Sequence, residues 1–535
     1  MQLQKTQIPL EKTNYFSKLF LDYTAGKLKE FSAFEPTLEG IKNFTEKNKY
    51  DSLDRNLLVE ELQKQNANIK LSEATKKNIE QLKNKSTYTI TTGHQLCLAT
   101  GPLYFIYKII SVINLCETLN KKYPDNCFVP VYWMASEDHD FEEINHINLF
   151  NKKFTWSTDQ KGRVGDFSLE NIKTFLDEIK DVLGENENAG TVLQILKSAY
   201  SEKNLADAMR HLVNELFGKY GLVILDGNSQ TLKAQFISEI KKDVFENSPF
   251  KAVSKTIEQL KQKGYDAQVS PREINCFYAK KGMRERIVKE INVSTNNVEH
   301  FKVLNTERVF TKAELEKKIE AEPEKFSPNV VLRPMYQQKI IPNAAYVGGP
   351  GELAYWLQYK TMFVEAGIAF PVLMPRDFVL YIEKGLQQRI EKLNLTVAEF
   401  FTEKEKLVKE YALKQQPFDL EKEKSELKKT FEEAKNNISK IDKSLEAATD
   451  AELQKSIKSL ELLEQKVLRA IKQKNEQAIN QIEVIYGRLF PNNIPQERVE
   501  NFLRFYLTNP NFIEDVKSSL ASNSQAKNLS VLHEI

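Results

Sequence analysis

Two clusters of polar residues about forty positions apart have the types needed for anion binding and acid–base work. The first opens the loop Gly93-His94-Gln95-Leu96-Cys97-Leu98-Ala99-Thr100-Gly101. A glycine-flanked loop before a helix offers backbone N–H groups to phosphate or carboxylate, and His94 adds a donor for developing negative charge. The loop is neither a Walker sequence nor GxGxxG. The second cluster is Glu137-Asp138-His139-Asp140. A carboxylate beside histidine orients the ring and raises its basicity, and paired carboxylates also hold bound amines. A strand-end capping network is the plainer alternative. His139 and His146 are metal-ligand types, but their spacing matches no zinc or calcium pattern, so no metal is expected.

Further along, Tyr346-Val347-Gly348-Gly349-Pro350-Gly351-Glu352 forms a second backbone cradle. Gly348, Gly349 and Gly351 allow a ligand close to the main chain. Glu352 reads as a dipole-favoured cap. Arg333 and Arg376 each follow an apolar run and suit bidentate binding of carboxylate or phosphate, with a surface ion pair as the alternative. Cys97 lies near His94, yet a small residue in a packed turn is preferred over a nucleophilic thiol.

The elements that must position these groups follow from pattern. Tyr88–Thr91 reads as a strand, Pro102 as the first turn of a helix, Leu103–Leu119 as an apolar helix and Phe128–Met134 as a buried strand. That order predicts a βαβ unit, whose ligands bind beyond the carboxyl ends of parallel strands. Gly221–Gly227 reads as a further central strand bearing Asp226. Tyr265–Val269, Asn275–Ala279 and Arg286–Val288 read as β-like, Val330–Pro334 as a strand delivering Arg333, and Ala369–Met374 as a last strand. The predicted class is α/β: a Rossmann-like parallel-sheet core with helical connecting insertions and a long antiparallel coiled-coil arm.

The arm is read from Leu427, Phe431, Ala434, Ile438, Ile441 and Leu445, spaced alternately four and three apart. This is a heptad seam. Ala447–Asp450 reads as a break, Thr449–Glu452 as a capping box, and Leu453, Ile457, Leu460, Val467 and Ile471 as the returning seam. So narrow a seam predicts a homodimer through the coiled coil. The expected organisation is a helical lead-in over 1–85, the first part of the core over 86–150, a helical insertion over 151–220, and the rest of the core with a small β/helical insertion over 221–380. The arm follows over 381–485, and a C-terminal helical segment returning to the core over 486–535.

In 535 residues, 76 Lys and Arg face 74 Asp and Glu, a balance that predicts neither a nucleic-acid nor a membrane partner. No apolar run long enough to span a membrane and no signal-peptide pattern is read. The four cysteines show neither metal nor secreted-disulfide spacing, which suits a reducing cytoplasm.

At these residues the chain resembles the bacillithiol biosynthesis cysteine-adding enzyme family. The resemblance rests on TTGHQLCLATGPLYFIYKIISVI, VPVYWMASEDHDFEEINHI, LRPMYQQKIIPNAAYVGGPGELAYW, FPVLMPRD and PNNIPQERVENFLRF, spread over nearly the whole chain. It implies a Rossmann-type core similar to class I aminoacyl-tRNA synthetases, with Gly93-His94-Gln95 in the place of their histidine signature. It also implies a coiled-coil dimerisation arm. The activity it implies is a ligase joining the carboxyl of L-cysteine to the amine of glucosaminyl malate, the last step of bacillithiol synthesis. An amide from a free carboxylate needs activation, so ATP with magnesium is the expected cofactor.

The expected roles are these. His94 and the Gly93–Gly101 backbone stabilise charge. His139, oriented by Asp138 or Asp140, takes the amine proton. Arg333 holds the malate carboxylates, and Tyr346–Gly351 lines the sugar or nucleotide pocket. Gln95, Glu137 and Arg376 complete the expected binding set. The alternatives are a synthetase-like ligase acting on another amine and a non-catalytic coiled-coil scaffold.

Overall fold

The computed structural model describes residues 3–292, 298–521 and 527–535. The chain divides into two compact units. One comprises Met1–Glu11, Tyr15–Tyr381 and Ile494–Ile535; the other comprises Lys12–Asn14 and Ile382–Asn493.

The first unit is built on five parallel strands: β1 (Thr87–His94), β2 (Cys127–Met134), β3 (Val223–Asp226), β4 (Asn343–Gly348) and β5 (Val372–Pro375). Their order across the sheet is β5-β4-β1-β2-β3. This is the doubly wound Rossmann order, and β1 and β4 flank its topological switch point, where ligands bind. The strands are buried along almost their whole length, as strands covered on both faces must be. Helix α1 (Tyr104–Lys122) makes the β1–β2 crossover and buries Phe105, Ile106, Ile109, Ile110 and Ile113. Asp226 does end its strand, but β3 is an edge strand, not a central one.

Among the described residues, two larger sheets and a two-stranded one (His146–Leu149 with Lys152–Thr155) accompany this core. An antiparallel five-stranded sheet contains Cys276–Lys280, Met283–Asn292, Val298–Val303, Val309–Thr311 and Phe326–Pro328. The expected strand at Tyr265–Val269 is absent from it; the Gln268 N–H binds the Gln358 side chain instead of a ladder partner. A three-stranded sheet joins Leu3–Pro9, Asn528–Glu534 and Phe378–Ile382. The lead-in therefore starts with a strand, and the C-terminal segment ends in one. Both ends pair with each other across the length of the chain, a relationship that no local pattern encodes.

Arg333 is not delivered by a strand. It begins helix α2 (Arg333–Ile340). The short run Val330–Leu332 is ambiguous by pattern. Asn329 decides it: its side-chain oxygen accepts the N–H groups of Val331 and Leu332, and Pro334 sits in the first turn, where proline is favoured. Helix α3 (Pro350–Trp356) follows β4 through the glycine-rich turn.

In the second unit, α4 (Glu421–Ser439) and α5 (Glu446–Lys474) form the antiparallel hairpin. Lys424–Glu464 at 2.7 Å and Lys435–Asp450 at 2.6 Å tie the arms. The break lies at residues 440–445, not at Ala447–Asp450. Asp442 caps the turn by accepting the Ser444 N–H, and Asp450 is a surface residue inside α5 that pairs across the hairpin. At ~1.5 Å per residue, the 29 residues of α5 extend about 43 Å. No residue of α4 is buried, and Ile441, Leu445, Leu462 and Leu463 are exposed.

Candidate active site

The carboxyl ends of β1, β2 and β4 open into a cavity of about 580 Å³. Gly93, His94, Gln95, Glu137, Asp138, His139, Arg333, Tyr346, Gly349, Gly351 and Arg376 line it. The two clusters separated in sequence thus share one wall. Asp140, Gly101 and Gly348 do not line it.

His94 ends β1 rather than starting a helix. Its Nδ1 accepts the Gln95 N–H at 2.8 Å, which fixes the imidazole proton on Nε2. Tyr104 stacks on the ring at 5.2 Å and Phe105 packs at 5.1 Å. Burial, with the charges of Lys108 and Arg376, holds the ring well below the ordinary histidine range. His94 is therefore a neutral donor. Its buried Nε2–H has no partner among the described residues.

The Gly93–Gly101 loop is not the open anion cradle its composition suggests. The Gln95 N–H is taken by His94, the Ala99 N–H by the Tyr200 hydroxyl and the Gly101 N–H by the Leu98 carbonyl. Asn501 donates to the carbonyls of Ala99 and Gly101, at 2.8 and 2.6 Å. The loop is a docking plug for the C-terminal segment. Gly101 is required for packing: it has φ +65°, and an added Cβ would lie 2.7 Å from the Cys97 Cβ. Gly93 serves the cavity instead, since a Cβ there would meet the Tyr346 hydroxyl at 3.2 Å and Arg333 Nη1 at 3.5 Å.

The acidic wall is organised by Gln95, whose amide donates to Asp138 at 2.9 Å and Glu143 at 2.7 Å. Burial opposes ionisation of Asp138, but donors from His139 and Gln95 and the Arg284 charge outweigh it and hold the carboxyl well below its usual range. Glu137 pairs with the fully buried Lys233 at 2.6 Å, and Lys233 also binds the Phe326 carbonyl. His139 is not oriented by Asp140. Arg284 Nη1 donates to its Nδ1 at 2.8 Å, while the nearest Asp138 oxygen is 3.6 Å away. Arginine only donates, so the Nδ1 lone pair is occupied and His139 is not set as the base.

The cationic side centres on Arg333. Its guanidinium lies over Trp133 and Tyr346, at 5.9 and 5.6 Å, and donates to Gln337 at 3.0 Å. Among the described residues no carboxylate lies within ion-pair distance of it. Arg376 is different. It forms a bidentate pair with Glu497, at 2.8 and 2.5 Å, so its outer nitrogens are engaged by the protein. Only its buried Nε–H has no partner among the described residues.

Lys108, inside the apolar run of α1, is buried against the site. It donates to the Gly93 carbonyl at 2.5 Å and to Glu352 at 2.8 Å. Glu352 also accepts the Tyr346 hydroxyl and the Gly349 N–H. Burial opposes its charge, but Lys108 and these donors hold the carboxyl below the ordinary range. Glu352 is thus a clamp joining the ends of β1 and β4, more than a helix cap.

A family model described as Bacillithiol biosynthesis BshC, N-terminal Rossmann-like domain, matches residues 2–377, and the C-terminal coiled-coil domain of the same description matches 379–531. The chain belongs to the bacillithiol biosynthesis BshC family. Relatives named "Putative cysteine ligase BshC" include one from Flavobacterium psychrophilum, 44% identical over 94% of both chains. Another, from Cytophaga hutchinsonii, is 40% identical over 96% of both. One from Bacillus anthracis is 30% identical over 90% of this chain and 91% of its own. A solved structure named as a putative arginyl t-RNA synthetase, from Campylobacter jejuni, aligns at 10% identity with a TM-score of 0.21, too low to bear on the synthetase likeness.

Within this BshC-family chain, sequence reading missed Lys108, Lys233, Arg284 and Glu497. Only Lys108 lies inside an apolar stretch, and that placement was the available signal. Glu143 and Arg498 also line the cavity. No group of three or more His, Cys, Asp or Glu suited to a metal ion occurs among the described residues, and no described helix is long and apolar enough to cross a membrane.

Proposed function

We propose that the protein is a ligase that forms an amide between the carboxyl of L-cysteine and the amine of glucosaminyl malate, the last step of bacillithiol biosynthesis. The observation that carries this reading is Arg333, a guanidinium on the cavity wall with no carboxylate partner among the described residues. Such a group suits a substrate carboxylate. The Gln95-bridged pair Asp138 and Glu143 supplies the complementary negative wall for a primary amine. Glucosaminyl malate carries both charges. The cavity volume is within the range of ligand sites, and the relatives' names supply the cysteine ligase chemistry.

In this reading Arg333 binds the malate carboxylates. Asp138 and Glu143 orient the amine, and the exposed Glu143 receives its proton as the amide forms. His94 Nε2–H donates to the oxygen of the cysteine carboxyl on which charge develops. His139 Nε2–H is a second donor to bound substrate. ATP with magnesium is proposed as cosubstrate and would supply the free energy of carboxyl activation. The unpartnered Nε–H of Arg376, beside Gly349, is suited to its phosphates.

We also propose a homodimer through the hairpin, on the exposed Ile441, Leu445, Leu462 and Leu463. Light scattering of the full chain should give twice the chain mass. A cytoplasmic setting is proposed because all four cysteines are free.

The deciding experiment incubates purified protein with L-cysteine and glucosaminyl malate, with and without ATP and magnesium, and reads the products by mass. A product of condensed mass is expected only with ATP. Absence of product from folded protein, with or without added cell extract, overturns the reading.

A further inference from the structure

Arg333 is useful only if the first turn of α2 is held still, and this turn has an unusual support. No Ser, Thr or Asp caps it, and Pro334 contributes no N–H. The support is Asn329, just outside the helix. Its carbonyl accepts the Arg333 N–H at 2.9 Å, and its side-chain oxygen accepts the N–H groups of Val331 and Leu332 at 2.8 and 3.2 Å.

Asn329 is itself gripped. Its N–H donates to the Asn275 carbonyl at 2.9 Å and its side-chain amide to Asn275 Oδ1 at 3.1 Å. Asn275, 1% exposed, in turn donates both its N–H (2.7 Å) and its side-chain amide (3.0 Å) to the carboxylate of Asp243. Asp243 is fully buried on a π-helical turn, Lys242–Glu246. Such turns are uncommon and often lie near functional sites. Arg284 adds a second tether by donating to the Pro328 carbonyl at 3.0 Å.

We propose that Asn329, backed by Asn275 and Asp243, is the positioning residue for Arg333 and so sets affinity for the acid substrate. The proposal rests on Arg333 binding the substrate carboxylates. The physical basis is that side-chain caps and buried amide pairs fix backbone direction, whereas a bare helix start frays. A guanidinium displaced by about 1 Å loses bidentate geometry with a carboxylate. None of Asp243, Asn275 and Asn329 needs to touch substrate for this.

The test is calorimetric binding of glucosaminyl malate to the full chain, with steady-state kinetics alongside. Arg333→Met should weaken binding by about a hundredfold, and Asn329→Ala by about tenfold, the factors for a charged and a lesser contact. Asn329→Asp, which keeps the capping oxygen but sets a second oxygen against Asn275 Oδ1, should recover only part of the loss. In kinetics, Asn329→Ala should raise the KM for glucosaminyl malate and leave the KM for L-cysteine unchanged. The double variant Asn329→Ala/Arg333→Met should bind no more weakly than Arg333→Met alone, because residues acting through one group are not additive. A double variant weaker by the full Asn329→Ala factor overturns the proposal. So does wild-type binding by Asn329→Ala when Arg333→Met is impaired; the substrate reading then stands. If Arg333→Met binds like the wild type, that substrate reading fails and this proposal falls with it. Should Asn329→Ala not fold, Asn329→Ser, which retains one acceptor but loses the Asn275 amide pair, replaces it in the same cycle.

Discussion

Arg284 donates from Nη1 to Nδ1 of His139 at 2.8 Å, and this contact sets what the histidine can do. The guanidinium is anchored by Ser327 Oγ and the Pro328 carbonyl and lies over Phe277 at 4.1 Å. A guanidinium offers no acceptor, so His139 carries its ring proton on Nε2. Gln reproduces that donor and Ala does not. His139→Gln should retain turnover within about tenfold of wild type, while His139→Ala should fall by about a hundredfold, as for loss of one oriented donor. Equal losses in both variants would return His139 to the role of base. Arg284→Ala strands buried acceptors and should lower stability by about 1–3 kcal/mol in a denaturant titration.

His94 leads to a pH prediction with a definite sign. Its folded pKa is depressed by burial and by the Lys108 and Arg376 charges, relative to 6.5. The unfolded chain then binds the extra proton first. The stabilisation is present above pH 6.5 and is lost as pH falls below it. Denaturant titrations at pH 8 and pH 5 should show a larger loss for wild type than for His94→Gln. The pH profile of kcat should show no inflection from His94 near 6.5. His94→Ala should lower kcat by about 10²–10³.

How much of this was legible beforehand depends on the range of the interaction. The βαβ unit was readable because strand, glycine loop, apolar helix and buried strand follow one another locally, and the fold rule then brings His94 and Glu137–His139 to one edge. Arg333 was placed on the wrong element, because three apolar residues before Arg333-Pro334 do not distinguish a strand from a capped turn. The partners of the charged residues were out of reach. Lys108 meets Glu352 244 positions away, and His139 meets Arg284 145 positions away. The hairpin seam was visible as spacing, but its turn was misplaced, since helix-forming residues 447–449 continue α5.

Lys108 and Glu352 form a pair whose value shows when only one partner is removed. Their side chains are 3% and 24% exposed. Lys108→Met leaves the Glu352 carboxylate beside Tyr346 and Gly349 without its cation, and should destabilise the protein by about 3–5 kcal/mol. Lys108→Met/Glu352→Gln removes both charges and should recover more than half of that loss. Thermal and denaturant unfolding of the three proteins would measure it. Additive losses would show that the ion pair does not join the ends of β1 and β4.

The last prediction concerns Arg376 and Glu497. Their side chains are 3% and 9% exposed and joined by two parallel hydrogen bonds, a geometry lysine cannot reproduce. Glu497 also accepts the Val379 N–H, and its neighbour Gln496 exchanges hydrogen bonds with the backbone of Tyr381. The segment after Ile494 is thus fastened to the strand that follows Arg376. Removing the carboxylate leaves a buried guanidinium uncompensated on the cavity wall. Glu497→Ala should therefore cost about 3–5 kcal/mol, and Arg376→Lys somewhat less, because one hydrogen bond survives. Hydrogen exchange should place the loss in residues 494–507 and 376–382, with the hairpin unaffected. Protection unchanged in 494–507 would mean that Asn501, through the Ala99 and Gly101 carbonyls, holds the segment without help from the ion pair.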